Sequence, residues 1–289
     1  MPGLTGFEVC RQLKQLSGTR HIPVIFVTAL NDEHEETEGF EAGAVDYITK
    51  PISPAIVKAR VKTHLSLVQA DELLDSRLQV VQRLGRAAEY KDNETGMHVI
   101  RMSRLSANLA KKIGLTDDEC QIMLQASPMH DVGKIGIPDE ILLIPGKLNE
   151  KEWEIMRKHP EIGAEILSGS QSAVMKMAET IALSHQERWD GSGYPNNLKG
   201  EEIPLAGRIV AICDVFDALT SKRYYKEAFS IEKSMEIIEQ GSGKDFEPRL
   251  VEAFKQALPE MIRIVKELPD NESANVLKVY RKNCSHNAA

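Results

Sequence analysis

Only two stretches of this chain can be read as buried β-strands, and both lie within its first fifty residues. Residues 21–29 (HIPVIFVTA) form a β-branched run of the kind that parallel strands carry when both faces are covered. Residues 45–49 (VDYIT) form a second, shorter run, followed at once by Lys50-Pro51. Helical periods lie around them, at residues 7–16 and at residues 32–43, the latter ending in Gly43. Strand and helix alternating at this pitch imply an α/β unit with a parallel sheet. Two strands are too few for a doubly wound sheet, so this unit reads as partial.

After it the periodicity is helical. Between Pro54 and Tyr90 there is no further proline and one glycine, Gly85, while Leu67, Leu74, Leu78 and Val81 recur at steps of seven, four and three residues, the 3-4 spacing of one helical face. This predicts a long connecting helix, either pairing with a second copy as a coiled coil or lying on its own domain. From residue 91 to residue 268 the β-branched runs are short. Pro138, Pro145, Pro160, Pro195, Pro204, Pro248 and Pro259 divide this segment into about seven helices. The fold class is therefore mainly α: an all-α domain preceded by a partial α/β segment and a long helix. The residues after Pro269 carry no pattern.

Composition narrows the class. Lys+Arg number 36 against Asp+Glu 43, a formal charge of −7, which disfavours a nucleic-acid coat or a polybasic membrane binder. Cysteines stand at positions 10, 120, 213 and 284 with no CxxC pair, so neither a disulfide framework nor a thiolate zinc knuckle is expected. The apolar runs are too short to span a bilayer, and MPGLTG does not resemble a signal peptide. The expectation is a soluble cytoplasmic protein.

The helical segment gathers a distinctive set of polar residues. Glu94 and His98 are four apart, on one helical face; His130-Asp131 opens HDVGKIGIP; His159 lies in KHPEIG; His185 lies in SHQERWDGSGYP; Asp214 and Asp217 are three apart in CDVFDAL. Any one of these is ordinary in a globular protein. Together they supply imidazole and carboxylate, a donor mixture that suits divalent first-row ions of borderline hardness. An ion would also explain carboxylates on otherwise apolar helices, where an unpaired charge is costly.

These motifs resemble the HD superfamily of metal-dependent phosphohydrolases. HDVGKIGIP and WDGSGYP resemble its HD-GYP branch, the bacterial cyclic di-GMP phosphodiesterases. The resemblance implies metal ligands at Glu94, His98, His130, Asp131, His159, His185 and Asp214, with Asp131 as the bridging carboxylate. It implies that Lys134 contacts the scissile phosphate, that Arg223 and Lys226 hold the ligand's phosphates, and that Gly193, Tyr194 and Pro195 form the loop that names the branch. Two or three divalent ions, iron or manganese, would then cleave cyclic di-GMP to pGpG and on to GMP. The alternatives are a non-catalytic cyclic di-GMP receptor or adaptor, and another HD-superfamily nucleotide phosphohydrolase. The family commonly has two consecutive histidines where this chain has His185-Gln186, which points to one weaker metal position. Tyr224, where proline is common, is a milder departure. A homodimer through the connecting helix and a diguanylate cyclase as partner domain are further expectations.

The first part resembles a response-regulator receiver domain. MPGLTGFEV matches the stretch after the receiver's phosphorylated aspartate, Thr28 matches its switch threonine, and Lys50-Pro51 its active-site lysine with an often cis proline. The acceptor aspartate would fall about three residues before Met1 by that match, so the receiver reads as truncated, without an acyl phosphate for Thr28 and Lys50 to sense. The organisation expected is a receiver segment at 1–66, a helical linker at 67–90, the HD-GYP domain at 91–270 and a tail at 271–289.

Overall fold

The computed structural model describes residues 3–16, 18–29, 33–91, 96–144, 146–221 and 228–269. Two compact units, Met1–Arg77 and Leu78–Ala289, divide the chain.

In the first unit, α1 (Gly6–Gln15) begins at a capping box. The Glu8 N–H donates to Thr5 Oγ1 at 3.2 Å and the Thr5 N–H donates to Glu8 Oε2 at 2.7 Å. Strand β1 (Ile25–Thr28), helix α2 (Glu33–Glu41) and strand β2 (Asp46–Thr49) follow, and β1 pairs with β2 in parallel, Ile25 opposite Asp46 and Thr28 opposite Thr49. The strand expected over residues 21–29 is thus four residues long. Its first half is taken by turns, with the Ile22 N–H donating to the Thr19 carbonyl at 3.0 Å, and Pro23 has no N–H to give a ladder. Nor is the sheet covered on both faces: Val27 is 47% and Phe40 49% exposed, and Phe7, Phe26, Phe40 and Tyr47 line an apolar cleft of about 260 Å³. The Lys50–Pro51 peptide is cis, and the Lys50 N–H donates to the Thr28 carbonyl at 2.7 Å.

Helix α3 (Pro54–Tyr90) is 37 residues long and begins before the linker expected from the sequence. Its proline stands at the first position, where no intrahelical N–H is needed.

Within the second unit lie α4 (Gly96–Lys112), α5 (Asp117–Ala126), α6 (Asp139–Leu142), α7 (Glu150–Met156), α8 (His159–Leu167), α9 (Ala173–Ser184), α10 (Leu205–Thr220), α11 (Ile231–Gln240) and α12 (Pro248–Glu267). Nine α-helices after α3 among the described residues exceed the number read from prolines, because the breaks after α4, after α8 and after α10 use no proline. Pro259, in contrast, does not end a helix. It sits on the exposed side of α12, whose other face buries Leu250, Val251, Phe254, Ala257, Met261 and Ile264, and that burial outweighs one lost backbone hydrogen bond. Pro145 lies outside the described residues. Helices α4, α5, α9, α10 and α12 enclose one core, with Met102, Leu105, Leu109, Ile181, Ile209, Phe216 and Phe254 at 0% exposure. No helix among the described residues is long and apolar enough to cross a membrane.

Candidate metal centre

Each expected histidine sits where a helix begins or ends. His98 is in the first turn of α4, His159 opens α8 and His185 caps α9. His130 and Asp131 lie between two 3-10 turns, Ser127–Met129 and Val132–Gly136. Asp214 and Asp217 lie one turn apart on α10. The second 3-10 turn presses against the first turn of α8, and Gly133 makes this possible. A Cβ there would fall 1.9 Å from the His159 carbonyl oxygen, so any other residue would force Asp131 and His159 apart.

Three of the imidazoles are anchored alike, by Nδ1 and a carbonyl from the preceding turn. His130 Nδ1 lies 3.0 Å from the Ser127 oxygen, His159 Nδ1 2.8 Å from the Met156 oxygen, and His185 Nδ1 3.0 Å from the Ala182 oxygen. A carbonyl can only accept, so Nδ1 carries a proton in each ring and Nε2 is the nitrogen turned inward, with a lone pair whenever the ring is neutral. Those Nε2 atoms converge on Asp131: Oδ1 is 3.4 Å from His159 Nε2 and 3.3 Å from His185 Nε2, and Oδ2 is 3.4 Å from His130 Nε2. His98 Nε2 lies 3.6 Å and His130 Nε2 4.0 Å from Asp214 Oδ1.

Two groups of three could therefore each hold a cation: His98, His130 and Asp214, and Asp131, His159 and His185. The fit is tested by satisfaction. Buried polar atoms ordinarily have partners, yet His130 Nε2, Asp131 Oδ1, His159 Nε2 and His185 Nε2 are buried without a hydrogen bond, all pointing into one space. Imidazole nitrogens backed by carbonyls, with carboxylates between them, are the donor set of borderline divalent ions. The residues fit the group.

Charge is tightly arranged here. Burial opposes the His130 imidazolium, but the adjacent Asp131 carboxylate wins and lifts it to about 9. Burial lowers His159 to about 4. Burial also opposes ionisation of Asp131, yet Lys134 and His130 hold it well below the usual carboxylate range. Lys134 Nζ is 2.8 Å from Asp131 Oδ2. The side chains of Lys134, 13% exposed, and Asp214, 23% exposed, are the open members of the cluster, so they mark its mouth.

The GYP loop borders this centre. The Tyr194 ring stands edge-on to His159, with centroids 6.1 Å apart, and the Arg157 guanidinium lies over both Tyr194 and Trp153. The Tyr194–Pro195 peptide is cis. Gly193 passes so close to the 187–188 backbone that a Cβ would meet the Arg188 nitrogen at 2.3 Å. Gln186 is half-buried, and its carbonyl accepts from the Tyr194 N–H at 3.2 Å. Glu94, Arg223, Tyr224 and Lys226 lie outside the described residues.

Two residues that the motifs did not single out as site members belong to this neighbourhood. Asp217 Oδ2 is 2.7 Å from His98 Nδ1, and Arg101 grips Asp217 with Nε at 2.5 Å from Oδ1 and Nη2 at 2.9 Å from Oδ2. The spacing of His98 to Arg101, and of Asp214 to Asp217, was the available signal: each pair is three apart on one helix.

Residues 69–250 match the HD domain family, and residues 1–62 match the response regulator receiver domain. A relative named cyclic di-GMP phosphodiesterase response regulator RpfG, from Xanthomonas campestris pv. campestris, is 42% identical over 283 residues, 91% of this chain and 75% of that protein. A relative named 3'3'-cGAMP-specific phosphodiesterase 2, from Vibrio cholerae, is 47% identical over 199 residues, 69% of this chain and 38% of that protein. A crystal structure of a cyclic GMP-AMP-specific phosphodiesterase of V. cholerae shares the fold, with a TM-score of 0.51 at 22% identity over 70% of this chain and 53% of that one.

Proposed function

The chain belongs to the HD domain family, in the arrangement that joins an HD-GYP domain to a response-regulator receiver segment, and from that premise we propose that it is a metal-dependent phosphodiesterase that hydrolyses cyclic di-GMP. The observation that carries this reading is the convergence of unsatisfied Nε2 atoms and the Asp131 carboxylate on one buried space beside an open-facing lysine.

An HD domain implies divalent metal. His98, His130 and Asp214 would hold one ion and Asp131, His159 and His185 another, with iron or manganese favoured by the donor set. Such ions, when bound, supply a water acidified toward neutrality and Lewis-acid neutralisation of phosphoryl charge. The protein's own groups do the rest. The carbonyl anchors of His130, His159 and His185 keep their Nε2 atoms aimed inward without reorganisation. Lys134, at the mouth, would meet the non-bridging phosphoryl oxygens as charge builds on them. Tyr194, packed on His159, offers an aromatic wall to a purine base. Arg223 and Lys226 would hold the ligand's phosphates. Cleavage of one ester gives pGpG, and cleavage of the other gives GMP.

Pairing of two copies through α3 is part of this proposal, supported by Leu73, Val80 and Leu84, which are seven and four residues apart and each at least 50% exposed. A diguanylate cyclase as partner domain remains an element of the same signalling reading.

A second reading, hydrolysis of the mixed dinucleotide 3'3'-cGAMP, is favoured by the higher identity of the V. cholerae relative. Manganese- or iron-loaded protein given each dinucleotide, with products separated by chromatography, decides between them. Faster conversion of cyclic di-GMP to pGpG is expected. Binding without turnover of either would instead establish a receptor.

A further inference from the structure

We propose that Asp217 and Arg101 are positioning residues for one of the two triads: they hold His98 in the tautomer its triad requires and leave the triad at Asp131 untouched. The proposal rests on the reading that both triads hold ions.

The four imidazoles differ in what holds them. His130, His159 and His185 turn Nδ1 to neutral carbonyls of their own preceding turns, at 2.8–3.0 Å. His98 turns Nδ1 to a carboxylate on another helix, Asp217 on α10, at 2.7 Å. An ionised carboxylate has no proton to give, so His98 carries its proton on Nδ1 and turns Nε2 toward Asp214. A charged acceptor also makes the imidazole a better donor than a carbonyl does.

Asp217 could do this only if it stays in place, and Arg101 keeps it there. Arg101 is 1% exposed and its guanidinium binds both carboxylate oxygens. It also donates to the Leu268 carbonyl at 2.9 Å and to Ser221 Oγ at 2.8 Å, so α4, α10 and the end of α12 share one buried fork. Neither residue touches Asp131, His159 or His185 in any described hydrogen bond. A purely structural ion pair would serve the helices without regard to which ion is bound. A positioning pair acts on one ion.

The test uses the whole chain, stripped with chelator and titrated with Mn2+ by calorimetry, with metal content counted independently. The principal variant replaces the pair together, Arg101→Met with Asp217→Leu, because apolar residues of similar volume tolerate burial where one unpaired charge does not. Asp217→Asn is the second variant, which keeps an acceptor for Arg101. The expected result is one class of Mn2+ site weakened about 10–100-fold, the range for loss of such supporting contacts, and the other retained. Side-chain 15N spectra of the metal-free proteins give a readout independent of loading: His98 should be an Nδ1–H tautomer in the wild type and a mixture in the double variant. Unchanged isotherms and an unchanged His98 tautomer would overturn the proposal alone, as would equal weakening of both classes in folded protein. Wild-type protein that takes up no Mn2+ would overturn the two-triad reading, and the proposal with it.

Discussion

The Lys134 ammonium lies 2.8 Å from the Asp131 carboxylate, one 3-10 turn away, and the two differ in what they face. Asp131 Oδ1 is buried and aimed at His159 and His185, while Lys134 stands at the mouth. On the proposed reading Lys134 would meet substrate while Asp131 would build the metal shell. Lys134→Ala should lower kcat about 100-fold, the usual cost of removing one preorganised charge donor, with bound manganese unchanged. Asp131→Ala should instead lose most of the metal together with activity. Metal counting beside steady-state kinetics checks both, and equal metal loss in the two variants would contradict the division of labour.

Stability of the metal-free protein should peak near pH 6.5. His130 is raised from 6.5 to about 9, so its contribution is complete below pH 6.5 and is lost as pH rises through 9. His159 is lowered from 6.5 to about 4, so the fold favours its neutral form, and that contribution is lost as pH falls from 6.5 to 4. Asp217 is lowered to about 2; burial opposes this, but His98 and Arg101 outweigh it, and its contribution persists until pH drops below the ordinary 3.8. Manganese requires His130 without its proton, so loading should flatten the alkaline arm. Thermal melts across this range, with and without Mn2+, give the test; a metal-free melting temperature that climbs steadily to pH 9 would contradict the assignment of His130.

Pairing through α3 predicts a concentration-dependent dimer. Leu73, Val80 and Leu84 stand 50%, 53% and 56% exposed along α3, an arrangement that water disfavours unless something covers it. Val80→Glu combined with Leu84→Glu should raise the dimer dissociation constant at least about tenfold, since like charges on a shared seam repel and the apolar contact is gone. Sedimentation equilibrium reads this directly, and wild-type protein that stays monomeric at high concentration would remove the pairing.

Much of the helical unit was legible because its chemistry is written in short words. HDVGK, KHP and SHQERWDGSGYP place each histidine at a helix end, where a ring can turn Nδ1 to the preceding carbonyls. What the sequence hid was set by long-range packing. The sequence spacing puts Arg101 on the face of α4 that carries His98, but its meeting with Asp217 across 116 residues is a pairing that no local pattern encodes. Prolines misled in both directions, because Pro259 is tolerated on the outer side of α12 while other breaks need no proline. The β-branched run at residues 21–29 is longer than the strand it forms, because Pro23 cannot join a ladder and pairing starts at Ile25.

The GYP loop offers the last test, through a residue the motif name omits. Glu187 is 3% exposed and accepts from the Asn196 N–H at 2.7 Å and from the Leu198 N–H at 3.1 Å, closing the loop that carries Gly193, Tyr194 and Pro195. A carboxylate can satisfy both donors; an amide of the same shape offers one oxygen and turns an NH2 toward the other. Leaving one buried N–H unpaired costs about 1–3 kcal/mol, which the loop can avoid only by opening. Opening would draw Tyr194 off His159 and loosen one wall of the site, while His185 would stay held by the carbonyls of Ile181 and Ala182. Glu187→Gln should therefore raise KM for cyclic di-GMP about tenfold, with a smaller change in kcat and with manganese content as in the wild type. Gly193→Ala, which drives a methyl into the Arg188 backbone, should do the same more severely. If either variant instead lost metal and kcat together with KM intact, the loop would be a support for the ligand shell and not a wall for the substrate.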